Sequence, residues 1–265
     1  MPYFRKLPSG LWQATVRGRD GKRHTKTDKL KSVVKQWAIQ QEATIARGEF
    51  RDPRLGDIKA AAWHARVVRA RGIEDEQVLR ALGQVPRELF VPKAERRAYA
   101  DAALPIGHGQ TISQPYMVAV IAEALAVRPG QRILDVGTGS GYQAAVLAEL
   151  GAEVVTIERI PELAEQARAN LAAAGYDGVE VVVGDGTLGW PERAPYDGIA
   201  VAAAAPAVPE TLYEQLRQGG RMVVPVGGPQ AQRLEVIVRS PEGQAVIHSV
   251  PCRFVPLVGE EGYAE

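Results

Sequence analysis

With 265 residues, of which 46% are hydrophobic and 24% charged, the chain has the composition of a globular protein with one large domain, or one medium domain and a small appendage. Every apolar stretch falls short of about 18 uncharged residues and the basic N-terminus lacks an apolar run, so we expect neither a membrane span nor a signal peptide. The single cysteine, Cys252, excludes an internal disulfide and favours a reducing, cytoplasmic location.

The formal net charge of +1 hides an uneven distribution along the chain. Residues 1–56 contain 13 basic and 5 acidic residues, whereas the remainder contains 19 basic and 26 acidic residues. A basic arm beside an acidic body indicates two functional units. Glycine, proline and charge are concentrated in GEFRDPRLGD (48–57), so we predict a basic N-terminal module over 1–56 and a second domain over 57–265.

The basic arm has the pattern of a small α+β module. Alternation predicts a strand over 11–17, Asp-Gly predicts a hairpin turn over 18–21, and apolar spacing predicts a helix over 30–46. The motifs G-x-W-x-A, D-G-K-R and Q-E-A-x-I-A-R-G-E-F resemble the arm-type DNA-binding module of phage-type tyrosine recombinases. That resemblance implies weak, salt-sensitive contact between residues 1–56 and nucleic acid. A solvated basic tail is the alternative. The basic side chains expected to contact the phosphates of a nucleic acid are those of Arg17, Arg19, Lys22, Arg23 and Lys26.

The acidic body alternates strands with helices. Helices are predicted within 64–85 and over 117–127, 144–150, 161–174 and 209–216. Strands are predicted over 132–136, 153–158, 179–183, 198–203 and 221–226. This alternation predicts an α/β fold with a doubly wound, mostly parallel sheet covered on both faces. Two late strands, 233–240 and 245–254, have no helix between them and are expected to pair antiparallel at the end of the sheet.

A glycine-rich turn follows the predicted strand 132–136. Gly137, Gly139 and Gly141 permit a tight turn and let the backbone approach a ligand. A dinucleotide fingerprint would need glycine at position 142, where the chain has Tyr142. The G-x-G-x-G spacing after Asp135 instead resembles motif I of class I S-adenosylmethionine-dependent methyltransferases, and that resemblance implies S-adenosyl-L-methionine as the cofactor.

Glu158 and Asp185, at the ends of the next two predicted strands, indicate the same cofactor site. Acids at the carboxyl ends of successive parallel strands, beside a glycine loop, are expected to meet at one ligand. The resemblance implies that Glu158 accepts hydrogen bonds from the ribose hydroxyls, and that Asp185 with Gly186 reads the adenine.

The stretch GHGQTISQPY (107–116) indicates the methyl acceptor. Together with VLRALGQVPRELFVP, APYDGIAVAAAAP, LRQGGRMVVPVGG and RFVPLVGEEG it resembles the protein-L-isoaspartate O-methyltransferase family over about 67–262. The resemblance implies that Ser113 contacts the substrate carboxylate and that Thr111 and Ile112 lie near the cofactor. It also implies that Gln232 borders the substrate cleft. His108 is expected to be a surface loop residue.

The implied substrates are proteins and peptides that contain L-isoaspartyl residues. Such a residue has a free α-carboxylate with a pKa of about 3.5–4, which is ionised at neutral pH and needs no general base. The sequence shows no His-Asp pair or metal-ligand cluster, so no metal is expected. Two alternatives stay open: a peptide-tailoring methyltransferase that esterifies a normal aspartate, and a DNA-associated protein that acts through the basic arm. The oligomeric state is not indicated.

Overall fold

A computed structural model describes residues 3–9, 11–17, 23–28, 67–95 and 97–264. The chain divides into two compact units, residues 1–59 and residues 60–265. The predicted turn over 18–21, the predicted helix over 30–46 and the predicted boundary within 48–57 lie outside the described residues. A domain boundary at residue 56 therefore stays a prediction.

Three short strands form an antiparallel sheet in the described part of the N-terminal unit. They are β1 (Tyr3–Lys6), β2 (Trp12–Arg17) and β3 (Arg23–Asp28), in the order β1-β2-β3. β2 lies where alternation predicts it, whereas β1 has only 4 residues, too few for a pattern to indicate it. The ends of β2 and β3 pair Arg17 with Arg23, on either side of the predicted cationic turn. Contact of that turn with nucleic acid stays a prediction.

A seven-stranded sheet forms the centre of the second unit, counted over its described residues. Its strands are β6 (Arg132–Val136), β7 (Glu153–Glu158), β8 (Glu180–Val183), β9 (Tyr196–Val201), β10 (Leu216–Gly228), β11 (Ala231–Ser240) and β12 (Gly243–Cys252). The order is β12-β11-β10-β9-β6-β7-β8, with parallel pairing from β8 to β10 and antiparallel pairing of β10, β11 and β12. The predicted mostly parallel sheet with late antiparallel strands is confirmed.

Helices cover both faces of this sheet. They are α1 (Glu76–Gln84), α2 (Pro115–Leu125), α3 (Tyr142–Glu149), α4 (Pro161–Ala174) and α5 (Glu210–Glu214), and residues 67–70 are also helical. Neighbouring residues of β6 point to opposite faces: Ile133 joins one buried apolar cluster and Leu134 the other. Among the described helices, none is long and apolar enough to cross a membrane.

The region from 209 to 221 differs from its predicted structure. The helix predicted over 209–216 ends at Glu214, and β10 begins at Leu216 rather than at Arg221. The pairing of β10 with β9 shifts in register between Leu216 and Arg221, at an irregularity of the strand. The intervening polar residues and glycines break the apolar alternation, so the sequence pattern does not indicate that the strand extends through them.

A small hairpin that the sequence analysis did not predict precedes α2. It consists of β4 (Leu104–Gly107) and β5 (Gln110–Ile112), paired antiparallel. Gly107, His108 and Gly109 at its tip have positive φ angles of 97°, 52° and 71°. The two glycines allow this backbone conformation, because residues with a Cβ rarely adopt positive φ. The stretch 107–116 is therefore part of a folded hairpin followed by a helix.

Candidate active site

The glycine loop connects β6 to α3 at the carboxyl end of the parallel strands. Gly137, Gly139 and Gly141 have φ angles of 90°, 53° and 89°, and the first two line a pocket. A Cβ at Gly139 would lie 3.3 Å from Ile106 Cδ1, so its absence lets the loop lie against the hairpin β4–β5. A Cβ at Gly141 would lie 3.1 Å from Leu171 Cγ. Gly141 therefore serves packing against α4.

Glu158 ends β7 and lines the same pocket. Its Oε2 accepts a hydrogen bond from Gly139 N at 2.8 Å, and its Oε1 accepts one from Ile160 N at 3.0 Å. A carboxylate has about four acceptor positions, so two remain for a ligand. The side chain thus fixes the glycine loop and offers acceptor oxygens to the pocket.

Asp135 lies beneath the loop and is fully buried. Its Oδ1 accepts from Gln143 Nε2 and its Oδ2 from Thr156 Oγ1, both at 2.8 Å. Thr138 Oγ1 lies 2.7 Å from Thr156 Oγ1, which extends this network. Thr138 and Gln143 line the pocket, so Asp135 reaches a ligand only through them. Burial raises the pKa of Asp135 to about 6.

The raised pKa of Asp135 predicts a pH dependence of stability. Its folded-state value of about 6 exceeds the ordinary value of 3.8, so the ionised carboxylate opposes folding, and stability falls as the pH rises through this window. We expect the free energy of unfolding to fall between pH 5 and pH 7.5 in the wild type. In Asp135→Asn this fall should be smaller by about 1 kcal/mol. Urea unfolding at both pH values measures it. Equal losses in the two proteins would contradict the expectation.

Asp185 follows β8, and both of its carboxylate oxygens are engaged. Oδ1 accepts from Thr187 N at 2.9 Å and from Thr187 Oγ1 at 2.7 Å, and Oδ2 accepts from Glu260 N at 2.8 Å. Partial burial raises the pKa of Asp185, but these hydrogen bonds outweigh it and the pKa lies below its ordinary range. Asp185 thereby holds the chain around Glu260 close to the pocket, and its neighbour Gly186 lines the pocket wall.

The segment 255–263, here called the C-terminal strap, forms one wall of the pocket through residues 255–258. It pairs with the chain after β9, because Ala204 N donates to Val255 O and Leu257 N donates to Ala204 O, both at 2.8 Å. Thr187 Oγ1 also accepts from Glu261 N at 3.1 Å. The strap was not among the site residues predicted from the sequence. Its signals in the sequence were the apolar run after the last predicted strand and the segment RFVPLVGEEG, which carries part of the family resemblance.

The hairpin β4–β5 supplies another wall, through Gln110, Thr111, Ile112 and Ser113. Ser113 lies between β5 and α2 and is partly buried. Its hydroxyl makes no hydrogen bond with any residue that the structure describes, and so remains available to a ligand. His108, at the exposed hairpin tip, is not among the pocket residues of the described chain.

Gln232 is engaged elsewhere in the fold. Its Nε2 donates to Phe254 O at 3.2 Å and its Oε1 accepts from Phe254 N at 2.6 Å, which joins β11 to the residue before the strap.

Of the predicted site residues, the described pocket wall contains Thr111, Ile112, Ser113, Gly137, Gly139, Glu158 and Gly186, and it omits Asp135, Gly141, Asp185 and Gln232. Pocket residues that the sequence analysis did not name as site residues include Gln110, Thr138, Ser140, Tyr142, Gln143, Arg159, Ala202 and Ala203. Within the described ranges, no group of three or more His, Cys, Asp or Glu side chains is placed to hold a metal ion.

A family model described as protein-L-isoaspartate(D-aspartate) O-methyltransferase matches residues 64–262. The chain belongs to this family. Two proteins named as protein-L-isoaspartate O-methyltransferases, from Methanoculleus marisnigri and Marinobacter nauticus, are each 56% identical to it. The first alignment covers 74% of this chain and 90% of the relative, and the second covers 79% and 96%. The family resemblance in the sequence is thus confirmed, and with it the expectation of a methyltransferase.

Solved structures of this family share the fold. A protein-L-isoaspartate O-methyltransferase superposes with a TM-score of 0.70 at 29% identity, over 76% of this chain and 66% of that one. A Plasmodium falciparum chain in complex with S-adenosyl-L-homocysteine superposes with a TM-score of 0.64 at 25% identity, over 73% and 96%. The class I methyltransferase fold predicted from the glycine loop is therefore confirmed.

Proposed function

We propose that this chain transfers a methyl group from S-adenosyl-L-methionine to the α-carboxylate of L-isoaspartyl residues in proteins and peptides. One observation carries the proposal: the glycine loop, the Glu158 carboxylate and the Ser113 hydroxyl line one pocket. Methylation of a carboxylate requires a cofactor held in place and, beside it, a hydroxyl that can orient the carboxylate. We propose a cytoplasmic location with it, because Cys252 is the chain's only cysteine.

The pocket suits the proposed cofactor. Gly137 and Gly139 present backbone without side chains of their own to the pocket, and Glu158 has acceptor positions left for the hydroxyls of a ribose. Gly186 and the hairpin residues Thr111 and Ile112 would hold it from other sides. When bound, S-adenosyl-L-methionine supplies a methyl group attached to a positively charged sulfur. Asp135 would support this site indirectly, through Gln143 and Thr138.

Ser113 would orient the substrate rather than attack it. The substrate carboxylate is already an anion at neutral pH, so the chain needs to position it and to exclude water, not to remove a proton. The Ser113 hydroxyl would donate a hydrogen bond to one carboxylate oxygen and leave the other to attack the methyl carbon. The apolar residues of the strap, such as Leu257, would keep water from the reacting atoms. Positioning of this kind supplies up to about 7–11 kcal/mol.

The methyl ester explains how the reaction leads to repair. The ester carbonyl is a better electrophile than the carboxylate anion, and methoxide is a better leaving group than oxide. The neighbouring backbone amide nitrogen therefore attacks the ester carbonyl carbon, the C–OCH₃ bond breaks, and methanol leaves with the amide proton. The resulting succinimide opens with water, partly to a normal aspartyl residue. The chain itself would be required only for the methyl transfer.

Two matched peptides test the proposal. We expect labelled S-adenosyl-L-methionine to give a base-labile methyl ester on a peptide that contains one L-isoaspartyl residue, and none on the same peptide with a normal aspartyl residue. Labelling of the aspartyl peptide alone would favour the peptide-tailoring alternative. Labelling of neither peptide would overturn the proposal.

A further inference from the structure

Asp101 lies in the loop before β4 and accepts hydrogen bonds from three residues. Its Oδ1 accepts from Tyr116 N at 3.1 Å. Its Oδ2 accepts from Gln114 Nε2 at 3.0 Å and from Arg71 Nη1 at 2.7 Å. The carbonyl oxygen of Asp101 also accepts from Gln114 Nε2, at 2.9 Å. The side chain is only 14% exposed, so these contacts are largely shielded from water.

These contacts fix the start of α2. The helix begins at Pro115, and Gln114 provides no side-chain cap. Proline has no N–H, so the Tyr116 N–H is the first helix donor that needs an acceptor, and Asp101 supplies it from a distant loop. A negative charge at this end also interacts favourably with the helix dipole. The turn that contains Ser113 is therefore anchored on its helix side by Asp101.

The position of Asp101 is fixed in turn by two arginines. The fully buried guanidinium of Arg87 donates from Nε to Ala98 O at 2.8 Å and from Nη2 to Ala102 O at 3.2 Å, which holds the loop on both sides of Asp101. Arg71 is the ion-pair partner of Asp101, and its guanidinium carbon Cζ lies 3.7 Å from the centre of the Tyr116 ring. This carboxylate therefore cannot move without breaking several contacts.

We propose that Asp101 is a positioning residue for the methyl transfer. It fixes the turn 112–116, through Gln114 and Tyr116, so that the Ser113 hydroxyl is held at the pocket wall. Asp101 is not among the described residues that line the pocket, so it acts through these neighbours and does not contact the substrate. The inference rests on the proposed function, because it assigns Asp101 to the same site as Ser113.

Asp197 provides a matched control for a test by substitution. It is 17% exposed, accepts from Arg132 N at 2.7 Å and pairs with Arg217 Nε at 2.8 Å, in β9 and away from the described pocket wall. We expect Asp101→Ala to lower kcat on the isoaspartyl peptide about tenfold without changing the Kd for S-adenosyl-L-homocysteine. Asp197→Ala is expected to lower the Tm by a similar amount and to leave kcat unchanged. Equal kcat values for Asp101→Ala and Asp197→Ala would overturn the inference.

A double-mutant cycle separates positioning of Ser113 from a general structural effect. If Asp101 acts through Ser113, Asp101→Ala should cost less than about twofold in kcat when Ser113 is already alanine. A tenfold loss in both backgrounds would overturn the inference. If Asp101→Ala does not fold, the same cycle is run with Asp101→Asn, which keeps the size of the side chain and one acceptor oxygen.

Amide hydrogen exchange gives a measurement that does not depend on activity. We expect the Tyr116 amide to exchange at least about tenfold faster in Asp101→Asn than in the wild type, because its acceptor is weakened. The same amide should be unaffected by Asp197→Ala. An unchanged Tyr116 exchange rate would overturn the anchoring role. A wild-type protein that methylates neither peptide would overturn the proposed function instead, and the exchange result would still decide whether Asp101 anchors the turn.

Discussion

Replacing Ser113 with alanine is expected to lower kcat on an isoaspartyl peptide about 100-fold and to leave the Kd for S-adenosyl-L-homocysteine unchanged. The reason lies in the location of the hydroxyl, which lines the pocket and makes no hydrogen bond with the described residues. Its removal therefore breaks no contact that supports the fold. The substrate carboxylate would lose its orienting donor, and small misplacements of reacting atoms lower rates by about this factor. Steady-state kinetics and calorimetric titration measure the two quantities.

Ser113→Thr is the control for this expectation. Threonine keeps the hydroxyl but adds a methyl group, so its loss of kcat should be clearly smaller than that of alanine. Unchanged turnover in Ser113→Ala would remove the residue from the mechanism. A loss of cofactor affinity that accounts for the whole effect would assign Ser113 to cofactor binding rather than to the substrate.

The fold was predictable where it depends on local pattern. Apolar runs separated by helical segments indicate β6, β7, β8 and β9 to within a few residues, because strands of a sheet covered on both faces are short continuous apolar runs. The start of β10 was not predictable. Its first residues, from Leu216, carry polar side chains and glycines, and only pairing with β9 makes them a strand.

The site was predictable where it depends on strand ends. Gly139 follows β6 and Glu158 ends the neighbouring parallel strand β7, so both lie at the same edge of the sheet, and a hydrogen bond of 2.8 Å joins them. The strap residues 255–258 and the contacts of Asp101 could not be read from the sequence. Both depend on chain segments far apart in sequence, as in the bond between Asp185 and Glu260. Such contacts follow from the tertiary fold and leave no local pattern.

Glu158→Gln is expected to raise the Kd for S-adenosyl-L-methionine about 10- to 100-fold. The carboxylate accepts from Gly139 N and Ile160 N with different oxygens, and glutamine has only one oxygen to replace them. Its amide N–H₂ would face one of these backbone N–H groups, so a buried donor would lose its acceptor. The loop would relax in the free variant to avoid this cost of about 1–3 kcal/mol, and binding would have to restore its shape, which corresponds to this change in affinity. The glycine loop would shift, and a ribose would meet a weaker acceptor.

Calorimetric titration of the folded variants measures this Kd, with Glu149→Gln as the control. Glu149 accepts from Tyr176 Oη at 2.8 Å at the far end of α3, outside the described pocket wall, so its substitution should leave the Kd unchanged. At saturating cofactor, Glu158→Gln should recover most of the wild-type kcat, because Ser113 still orients the substrate. Ser113→Ala should show the opposite pattern, with normal cofactor affinity and low kcat. Wild-type affinity in Glu158→Gln would contradict its role at the cofactor, whereas low kcat at saturation would show that the glycine loop also positions the reacting atoms.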